Sequence, residues 1–242
     1  MRIGLFSDIH SNYHALEAVL ADMANRGVDR LICLGDVTLK GPLPKECVDR
    51  VRALGCTVVL GNTDGAYDPD KHPSMFPVRN QSQEVALADF DRHLAALTPA
   101  DQTWLRGFPL TYTDTVEGVR LDLFHATPTH YYVLVMPWAT NEELERQRLS
   151  ESTRASAFGH CHRPFVRTVA GRLVINTGSV GIPFDGDPRP SYVVVDAEAG
   201  TTAVEVVRVA YDAEAAIRTA ISVGMKGWEL FAHTVRTGLF PG

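Results

Sequence analysis

Residues 2–36 read RIGLFSDIHSNYHALEAVLADMANRGVDRLICLGD, and this stretch decides the fold. The apolar run at residues 2–6 predicts a strand, apolar residues at helical spacing over 14–26 predict a helix, and residues 31–34 predict a second strand. The alternation continues with a helix over residues 44–54 and a third strand over 57–60. A strand–helix–strand pattern of this kind predicts a parallel sheet with right-handed crossovers, the beginning of an α/β protein.

The rest of the chain adds helices and a second group of strands. The patterns predict helices over residues 82–97 and 98–105, the latter with Thr98 as its N-cap, and a helical tail over 212–237 broken by two glycines. Seven short β-branched or aromatic segments predict hairpins and a second sheet: residues 110–115, 119–124, 154–158, 165–169, 173–175, 192–195 and 203–209. No linker divides the chain, so we expect a single domain over residues 1–242.

The composition is that of an ordinary globular protein, with 242 residues of which 45% are apolar and 21% charged. The net charge is −6 and no basic block occurs, which argues against duplex nucleic acid as a partner. No apolar run approaches the roughly 18 residues of a membrane span, and the N-terminus lacks a signal-peptide core. The four cysteines form no Cys-x-x-Cys pair, which suits a reducing compartment. We therefore expect a cytoplasmic protein without a membrane partner.

Side chains of the kinds that bind metal ions follow five of the predicted strands. In open α/β sheets, ligands bind beyond the carboxyl ends of the parallel strands. We therefore expect these side chains to converge on one site, although they are scattered along the sequence. They are Asp8 and His10 after the first strand, Asp36 after the second, Asn62 after the third, then His125, and finally His160 and His162.

The chemistry of this set favours two transition-metal ions. Imidazole with carboxylate suits Mn, Fe, Zn, Co or Ni better than Ca, whose sites are built from oxygen atoms alone. Seven ligands are too many for one catalytic ion, which keeps positions open for water, but they suit two ions that share a bridging carboxylate. Two ions about 3.5–4 Å apart clamp a phosphoryl group, and they lower the pKa of bound water to about 7.

In this order, the motifs D-x-H, G-D, G-N, H and G-H-x-H resemble those of the calcineurin-like metallophosphoesterase superfamily, in particular its small bacterial phosphodiesterase and dinucleotide-phosphatase-like members. The match spans Asp8 to His162, and residues 176–181, NTGSVG, resemble the segment after the last metal motif. The resemblance implies a four-layer α/β/β/α sandwich of two mixed sheets flanked by helices. It also implies two divalent metal ions, Mn²⁺ first and otherwise Fe, Zn, Ni, Co or Mg. One ion is assigned Asp8, His10, Asp36 and His162, and the other Asp36, Asn62, His125 and His160, with Asp36 bridging.

One position departs from the family pattern. Many members carry G-N-H-[DE] where this chain has Gly61-Asn62-Thr63-Asp64, and that histidine is thought to protonate the leaving group or support the transition state. Thr63 cannot act as an acid near neutral pH. Either His130 or Asp64 substitutes for it, or the leaving group is a good one or is handled by water. The departure argues against monoesters with poor leaving groups and favours diesters or phosphoanhydrides.

The predicted function is hydrolysis of phosphodiester or phosphoanhydride bonds in small substrates, nucleotides among them, by in-line attack of a metal-bridging hydroxide. Asp36, Asn62 and His125 are the predicted catalytic residues, and His130 and Arg163 are predicted to contact the substrate. Two alternatives stay open: a phosphomonoesterase, including a protein-phosphatase-like enzyme, and a non-catalytic scaffold of the same fold. The seven filled ligand positions argue against the scaffold. A homo-oligomer is also open.

Other polar and aromatic residues have ordinary structural interpretations. We expect three further histidines at the surface or in an interface: His72, His93 and His233. Lys40 is expected as a solvated charge, although it could hold phosphate oxygens. Three long irregular stretches, residues 65–81, 126–140 and 181–190, are typical of functional or mobile loops. The second contains aromatic residues that either pack or stack a nucleobase: Tyr131, Tyr132 and Trp138.

Overall fold

The structure is a computed structural model that describes residues 1–70 and 81–240. The described strands are β1 (Arg2–Phe6), β2 (Arg30–Cys33), β3 (Thr57–Val58), β4 (Thr111–Val116), β5 (Val119–Phe124), β6 (Ala155–Phe158), β7 (Phe165–Val169), β8 (Arg172–Asn176), β9 (Ser191–Glu198) and β10 (Thr201–Arg208). The described helices are α1 (Tyr13–Asn25), α2 (Pro44–Leu54), α3 (Asn62–Gly65), α4 (Gln81–Ala96), α5 (Pro99–Arg106), α6 (Asn141–Glu145), α7 (Ala213–Ser222) and α8 (Trp228–Thr237).

The first sheet has the strand order β10-β9-β1-β2-β3. Its β1, β2 and β3 are parallel, as the sequence predicts. β9 pairs antiparallel with both β1 and β10, so our placement of these last two strands in the second sheet is wrong. The physical reason is that β9 is central. Residues 191–195 are all buried, and a continuous apolar run suits a strand that is covered on both faces.

The second sheet has the strand order β4-β5-β6-β8-β7. β5, β6 and β8 are parallel, whereas β4 and β7 pair antiparallel at the two edges. Its two hairpins turn at Glu117-Gly118, with φ of 50° and 79°, and at Ala170-Gly171, with φ of 48° and 73°. Positive φ at both central residues is the type I′ geometry that matches strand twist. The turn signals in the sequence thus correspond to real hairpins.

One hydrophobic core lies between the two sheets. Side chains alternate along each strand, so Ile3 and Leu5 of β1 face Leu121 and Leu123 of β5 across it. The other face of the first sheet packs on helices, with Leu16 of α1 among the buried residues. The other face of the second sheet is covered by the short helix α6 and irregular chain around Val135. The protein is therefore an α/β sandwich of two mixed five-stranded sheets flanked by helices, as expected.

The C-terminal helices α7 and α8 pack together around Ile217 and Phe231, and this cluster includes Ile182 from the loop before β9.

Among the N-caps, the predicted Thr98 cap of α5 is confirmed, since its side chain accepts from Asp101 N. Most of the irregular stretch 65–81, including His72, lies outside the described residues. Within the described ranges, no helix is long and apolar enough to span a bilayer.

Candidate metal centre

The loops after five strands meet at one edge of the sandwich. They carry Asp8 and His10 after β1, Asp36 after β2, Asn62 after β3, His125 after β5, and His160 and His162 after β6. Hydrogen bonds join these loops both within and between the sheets. Asp8 N donates to Gly35 O at 3.0 Å, Gly159 N donates to His125 O at 2.8 Å, and His160 N donates to Asp8 Oδ2 at 3.0 Å. The structure thus brings all seven predicted ligands to one edge.

Asp8, His10 and His162 form the first cluster, in which one ligand atom from each lies within 4.8 Å of the others. His162 Nε2 lies 3.2 Å from Asp8 Oδ1, and His10 Nε2 lies 3.7 Å from the same oxygen. The two Nε2 atoms are 3.2 Å apart. All three side chains are buried, so water does not screen the charge of the carboxylate.

Asp36, His125 and His160 form the second cluster, again with ligand atoms within 4.8 Å of one another. Asp36 lies between the clusters: its Oδ2 atom is 3.5 Å from His10 Nε2, and its Oδ1 atom is 3.5 Å from His125 Nε2. The Asn62 amide head completes the group. It lies 3.1 Å from His125 Nε2, 3.2 Å from Asp36 Oδ2 and 2.9 Å from His160 Nδ1. This is the geometry that a bridging Asp36 requires.

Each of the four imidazoles has its other ring nitrogen against a backbone carbonyl oxygen. The pairs are His10 Nδ1 with Thr38 O at 3.3 Å, His125 Nδ1 with Leu34 O at 2.7 Å, His160 Nε2 with Tyr132 O at 3.1 Å, and His162 Nδ1 with Ile182 O at 2.6 Å. A carbonyl accepts only from N–H, so each of these nitrogens carries the proton. In a neutral imidazole with this tautomer, the nitrogen that faces the cluster is the unprotonated one, as metal ligation requires.

Asp8 gives a direct test of whether a cation fits. Its Oδ2 atom accepts from Ser7 Oγ at 2.5 Å and from His160 N. Its Oδ1 atom is buried and has no hydrogen-bond partner among the described residues. The Nε2 atoms of His10 and His162 lie 3.7 and 3.2 Å from that oxygen. A positive ion between these three atoms would give the buried carboxylate oxygen the partner it lacks, so the residues present fit a divalent metal ion.

The backbone at the centre is strained. Five of the seven predicted ligands are non-glycine residues with φ in the left-handed region: Asp8 at 54°, His10 at 47°, Asp36 at 57°, His160 at 67° and His162 at 56°. Such residues persist only where the surrounding structure holds them, and they concentrate at functional sites. Gly61 and Gly159 permit the close packing, because a Cβ at Gly61 would collide with Asp36 and one at Gly159 with Ser7 and Asp8.

Asp64 acts on the centre through the backbone. Its two carboxylate oxygens accept from the main-chain N–H groups of Asp36, Val37 and Gly61 at 2.8, 3.0 and 3.1 Å. The side chain is fully buried. The sequence interpretation considered Asp64 as a substitute acid, but these three contacts occupy its oxygens and assign it to orienting Asp36. Its place two residues after Asn62 was visible in the sequence, whereas its acceptor role was not.

Burial and charge set the protonation of the clusters. Burial lowers the pKa of His10 to about 4, assisted by the charge of Lys40, and burial beside His125 lowers that of His160 to about 4. Burial raises the pKa of Asp36, but His125 and His10 outweigh it and hold that pKa below its ordinary value. Near neutral pH His10 and His160 are therefore neutral and Asp36 is ionised, the forms that bind metal ions. Burial lowers the pKa of His125, but the charges of Asp36 and Asp8 outweigh it and hold that pKa above its ordinary value.

The two predicted substrate contacts lie outside the clusters. Arg163 directly follows His162, is half-buried, and places its guanidinium carbon 5.8 Å from the ring centroid of Trp138. The His130 side chain is exposed, while its backbone closes a turn with Thr127. Their contact with a substrate stays a prediction.

Two of the histidines that the sequence places at the surface, His233 and His93, differ in burial. His233 is exposed, as expected. The surface assignment of His93 is wrong, because the side chain is fully buried. Its Nδ1 accepts from Leu39 N at 3.3 Å and its Nε2 lies 3.1 Å from Gly41 O, so it holds the loop after Asp36.

Comparisons with known proteins agree with this geometry. The sequence model of the calcineurin-like phosphoesterase superfamily domain matches residues 1–200. An uncharacterised protein from Methanocaldococcus jannaschii is 30% identical over 243 residues, covering 93% of this chain and 94% of that protein. The crystal structure of a metallophosphoesterase from Sphaerobacter thermophilus aligns with a TM-score of 0.78 and 28% identity, over 99% of this chain and 100% of that one. A hypothetical protein from Pyrococcus horikoshii shares the fold, with a TM-score of 0.82 and 17% identity over 100% and 98% of the two chains.

Proposed function

This chain belongs to the calcineurin-like phosphoesterase superfamily, and from that premise we propose that it is a dinuclear metal-dependent phosphoesterase that cleaves phosphodiester or phosphoanhydride bonds of small substrates. The observation that carries the proposal is the set of four imidazoles whose tautomers are set by backbone carbonyls, together with Asp36 between the two clusters. A scaffold that had lost its chemistry would not need to keep seven converging ligands. The filled ligand positions therefore favour an enzyme.

The side chains have separate proposed tasks at this centre. Asp8, His10 and His162 would hold one ion, and His125, His160 and Asn62 the other, with Asp36 shared. When bound, two divalent cations supply positive charge to the phosphoryl oxygens and lower the pKa of a water nucleophile. The protein contributes geometry: backbone carbonyls orient the imidazoles, and Asp64 fixes Asp36. This arrangement avoids reorganising the ligands during the reaction.

Position 63 supports the choice of substrate bond. Thr63 is buried, and its Oγ1 atom has no hydrogen-bond partner within the described part of the chain. A hydroxyl of ordinary acidity does not protonate a leaving alkoxide near neutral pH. We therefore favour diesters and phosphoanhydrides, whose leaving groups need less help, over monoesters of simple alcohols. Arg163 is proposed to hold phosphate oxygens, and His130 is the proposed candidate for a substitute acid.

Elemental analysis combined with three parallel assays tests the proposal. Purified protein is expected to hold two divalent ions per chain. With added Mn²⁺, it is expected to hydrolyse bis(4-nitrophenyl) phosphate faster than 4-nitrophenyl phosphate, and diadenosine tetraphosphate tests the anhydride alternative. Faster turnover of the monoester would favour a phosphomonoesterase. No hydrolysis of any ester with Mn²⁺, Fe²⁺, Zn²⁺, Ni²⁺, Co²⁺ or Mg²⁺ would favour a non-catalytic scaffold.

A further inference from the structure

An apolar groove lies beside the metal centre, between α4 and α8. It is a cavity of about 510 Å³ whose walls include Lys40, Ile182, Phe184, Met225, Leu230 and Phe240. A second cavity of about 160 Å³ borders Asn62 and Thr63. Lys40, Ala86 and Asp89 line both cavities. The two cavities therefore adjoin, and the smaller one borders the Asn62 end of the metal centre.

The apolar groove also contacts the first ligand cluster. Ile182, one of its wall residues, accepts a hydrogen bond from His162 Nδ1 at 2.6 Å. The ring of Phe184 stacks on the His162 ring with centroids 4.3 Å apart and planes 7° from parallel. Phe240 meets Phe184 edge to face at 5.2 Å. The segment that orients a metal ligand therefore forms one wall of the groove, so a molecule in the groove would lie next to the centre.

Two charged side chains, Asp89 and Lys40, lie where the two cavities adjoin, and they differ in their contacts. The Asp89 carboxylate accepts from Lys40 N at 2.9 Å and from Arg92 Nη2 at 2.8 Å, so its charge already has partners. The Lys40 side chain is exposed, and its ammonium makes no ion pair or hydrogen bond with any described residue. The junction thus presents one uncommitted positive charge between an apolar cavity and the metal centre.

We propose that the apolar groove binds an alkyl or aryl substituent of the phosphorylated substrate, and that Lys40 binds a non-reacting oxygen of its phosphoryl group. The inference rests on the proposed function and deepens it by naming the substrate class: phosphate esters with a bulky apolar group. Pockets of about 300–1,000 Å³ with mainly apolar walls and few polar groups are typical of small-molecule sites.

A series of alkyl 4-nitrophenyl phosphates tests the inference. The methyl, butyl and octyl diesters share one reaction, in which water attacks phosphorus and the bond to 4-nitrophenolate breaks, so they differ only in the apolar group. With Mn²⁺, kcat/KM is expected to rise at least about tenfold from methyl to octyl, mainly through KM, as burial of apolar surface predicts. Equal kcat/KM across the series overturns the inference and leaves the proposed function standing. Loss of all turnover would instead contradict the proposed function.

A matched pair of tryptophan variants locates the effect. Ala86 is exposed on α4 and lines both cavities, so Ala86→Trp fills the junction without disturbing the core. Ala95 is exposed on the same helix and lines neither cavity. Ala86→Trp is expected to bring the octyl-to-methyl ratio of kcat/KM close to one, whereas Ala95→Trp keeps the wild-type ratio. Equal ratios in the two variants would place the apolar group elsewhere.

A binding measurement decides the inference without turnover. Octylphosphonate and methylphosphonate carry a P–C bond that is not hydrolysed, and calorimetry gives their dissociation constants. In wild type and Ala95→Trp, octylphosphonate is expected to bind at least about tenfold more tightly than methylphosphonate. In Ala86→Trp, the two ligands are expected to bind with similar dissociation constants. Lys40→Met is expected to weaken both ligands by a similar factor and to preserve their ratio. Unchanged affinities in Lys40→Met would remove Lys40 from the proposal.

The oligomeric state tests the competing occupant, a second copy of the chain. Light scattering during size-exclusion chromatography is expected to give the same mass for wild type, Ala86→Trp and Ala95→Trp. A dimer that dissociates only in Ala86→Trp would show that another protomer fills the apolar groove, and the substrate assignment would be wrong.

Discussion

Asp64 holds Asp36 in place through the main chain: Asp64 Oδ2 accepts from Asp36 N at 2.8 Å, while its Oδ1 accepts from the next amide, Val37 N, at 3.0 Å. Burial, reinforced by the negative charge of Asp36, raises the pKa of Asp64 to about 7. A buried carboxylate therefore supports the left-handed backbone of the residue that lies between the two ligand clusters. The metal centre depends on this second acidic residue as well as on the ligands themselves.

Asp64→Ala is predicted to weaken both the fold and the centre. The change leaves the N–H groups of Asp36, Val37 and Gly61 without their acceptor, and each unsatisfied buried group costs about 1–3 kcal/mol. Urea unfolding is expected to show a loss of at least about 2 kcal/mol, with weaker metal binding by calorimetry. Asp64→Asn retains one acceptor oxygen, so its stability and metal affinity should lie between those of wild type and Asp64→Ala. Wild-type metal affinity in a folded Asp64→Ala protein would refute this role.

Asp36→Ala is predicted to remove the shared ligand. Bound metal should fall below two ions per chain and hydrolysis by orders of magnitude, because neither cluster keeps its bridging oxygen. The control is Asp49→Ala in α2. This change removes an exposed carboxylate that pairs with Lys45. An Asp36→Ala protein with intact metal content and turnover would contradict the assignment.

Metal loading is predicted to stabilise the native protein. An ion that binds only the folded state at 100 times its dissociation constant adds about 2.7 kcal/mol to the free energy of unfolding. Treatment with a chelator should lower the melting temperature, and Mn²⁺ should restore it. His162→Ala is expected to reduce the response to Mn²⁺, while His233→Ala, at an exposed position, should respond like wild type. Equal responses in the two variants would exclude His162 as a ligand.

Thr63→His is predicted to broaden the range of leaving groups. The cavity of about 160 Å³ beside Thr63 gives an imidazole room, and a positioned general acid typically contributes about 10²–10⁴-fold. Rates of wild type for aryl methyl phosphates should fall steeply as the leaving phenol becomes less acidic, and those of Thr63→His less steeply. Thr63→Val, which cannot donate a proton, is the control. Identical slopes in all three proteins would mean that position 63 does not face the leaving group.

Gly159→Ala is predicted to disrupt the loop that carries His160. The new Cβ would collide with Ser7 Oγ and Asp8 Oδ2, the atoms that position the first cluster. Gly27→Ala is the comparison, since its Cβ meets no atom within 4 Å and adds only the strain of a φ of +66°, about 1 kcal/mol. Thermal unfolding with and without Mn²⁺ should therefore show the larger loss in Gly159→Ala, together with a smaller response to the metal. Similar behaviour of the two proteins would mean that the packing at Gly159 is adaptable.

Local sequence patterns were sufficient for most of the helices and strands. Apolar spacing identified α1 and α2, and turn residues marked the hairpins at Gly118 and Gly171. The patterns did not place the β9–β10 hairpin, because an apolar run is compatible with a central position in either sheet. They also did not predict that His93 is buried, because its partners, Leu39 N and Gly41 O, lie on a loop more than fifty positions away.

The sequence by itself determined which side chains could bind metal ions, because the parallel strands carry the residues that follow them to one edge of a sheet. Asp8, Asp36 and His125 were identifiable on that basis alone. Only the tertiary structure decided how those side chains are held. The imidazole tautomers depend on carbonyl oxygens from other loops, Asp36 depends on Asp64, and the apolar groove forms where α8 packs near α4. Hydrogen bonds and cavities of this kind join groups that are distant along the chain, so they exist only after the sheets and helices have packed.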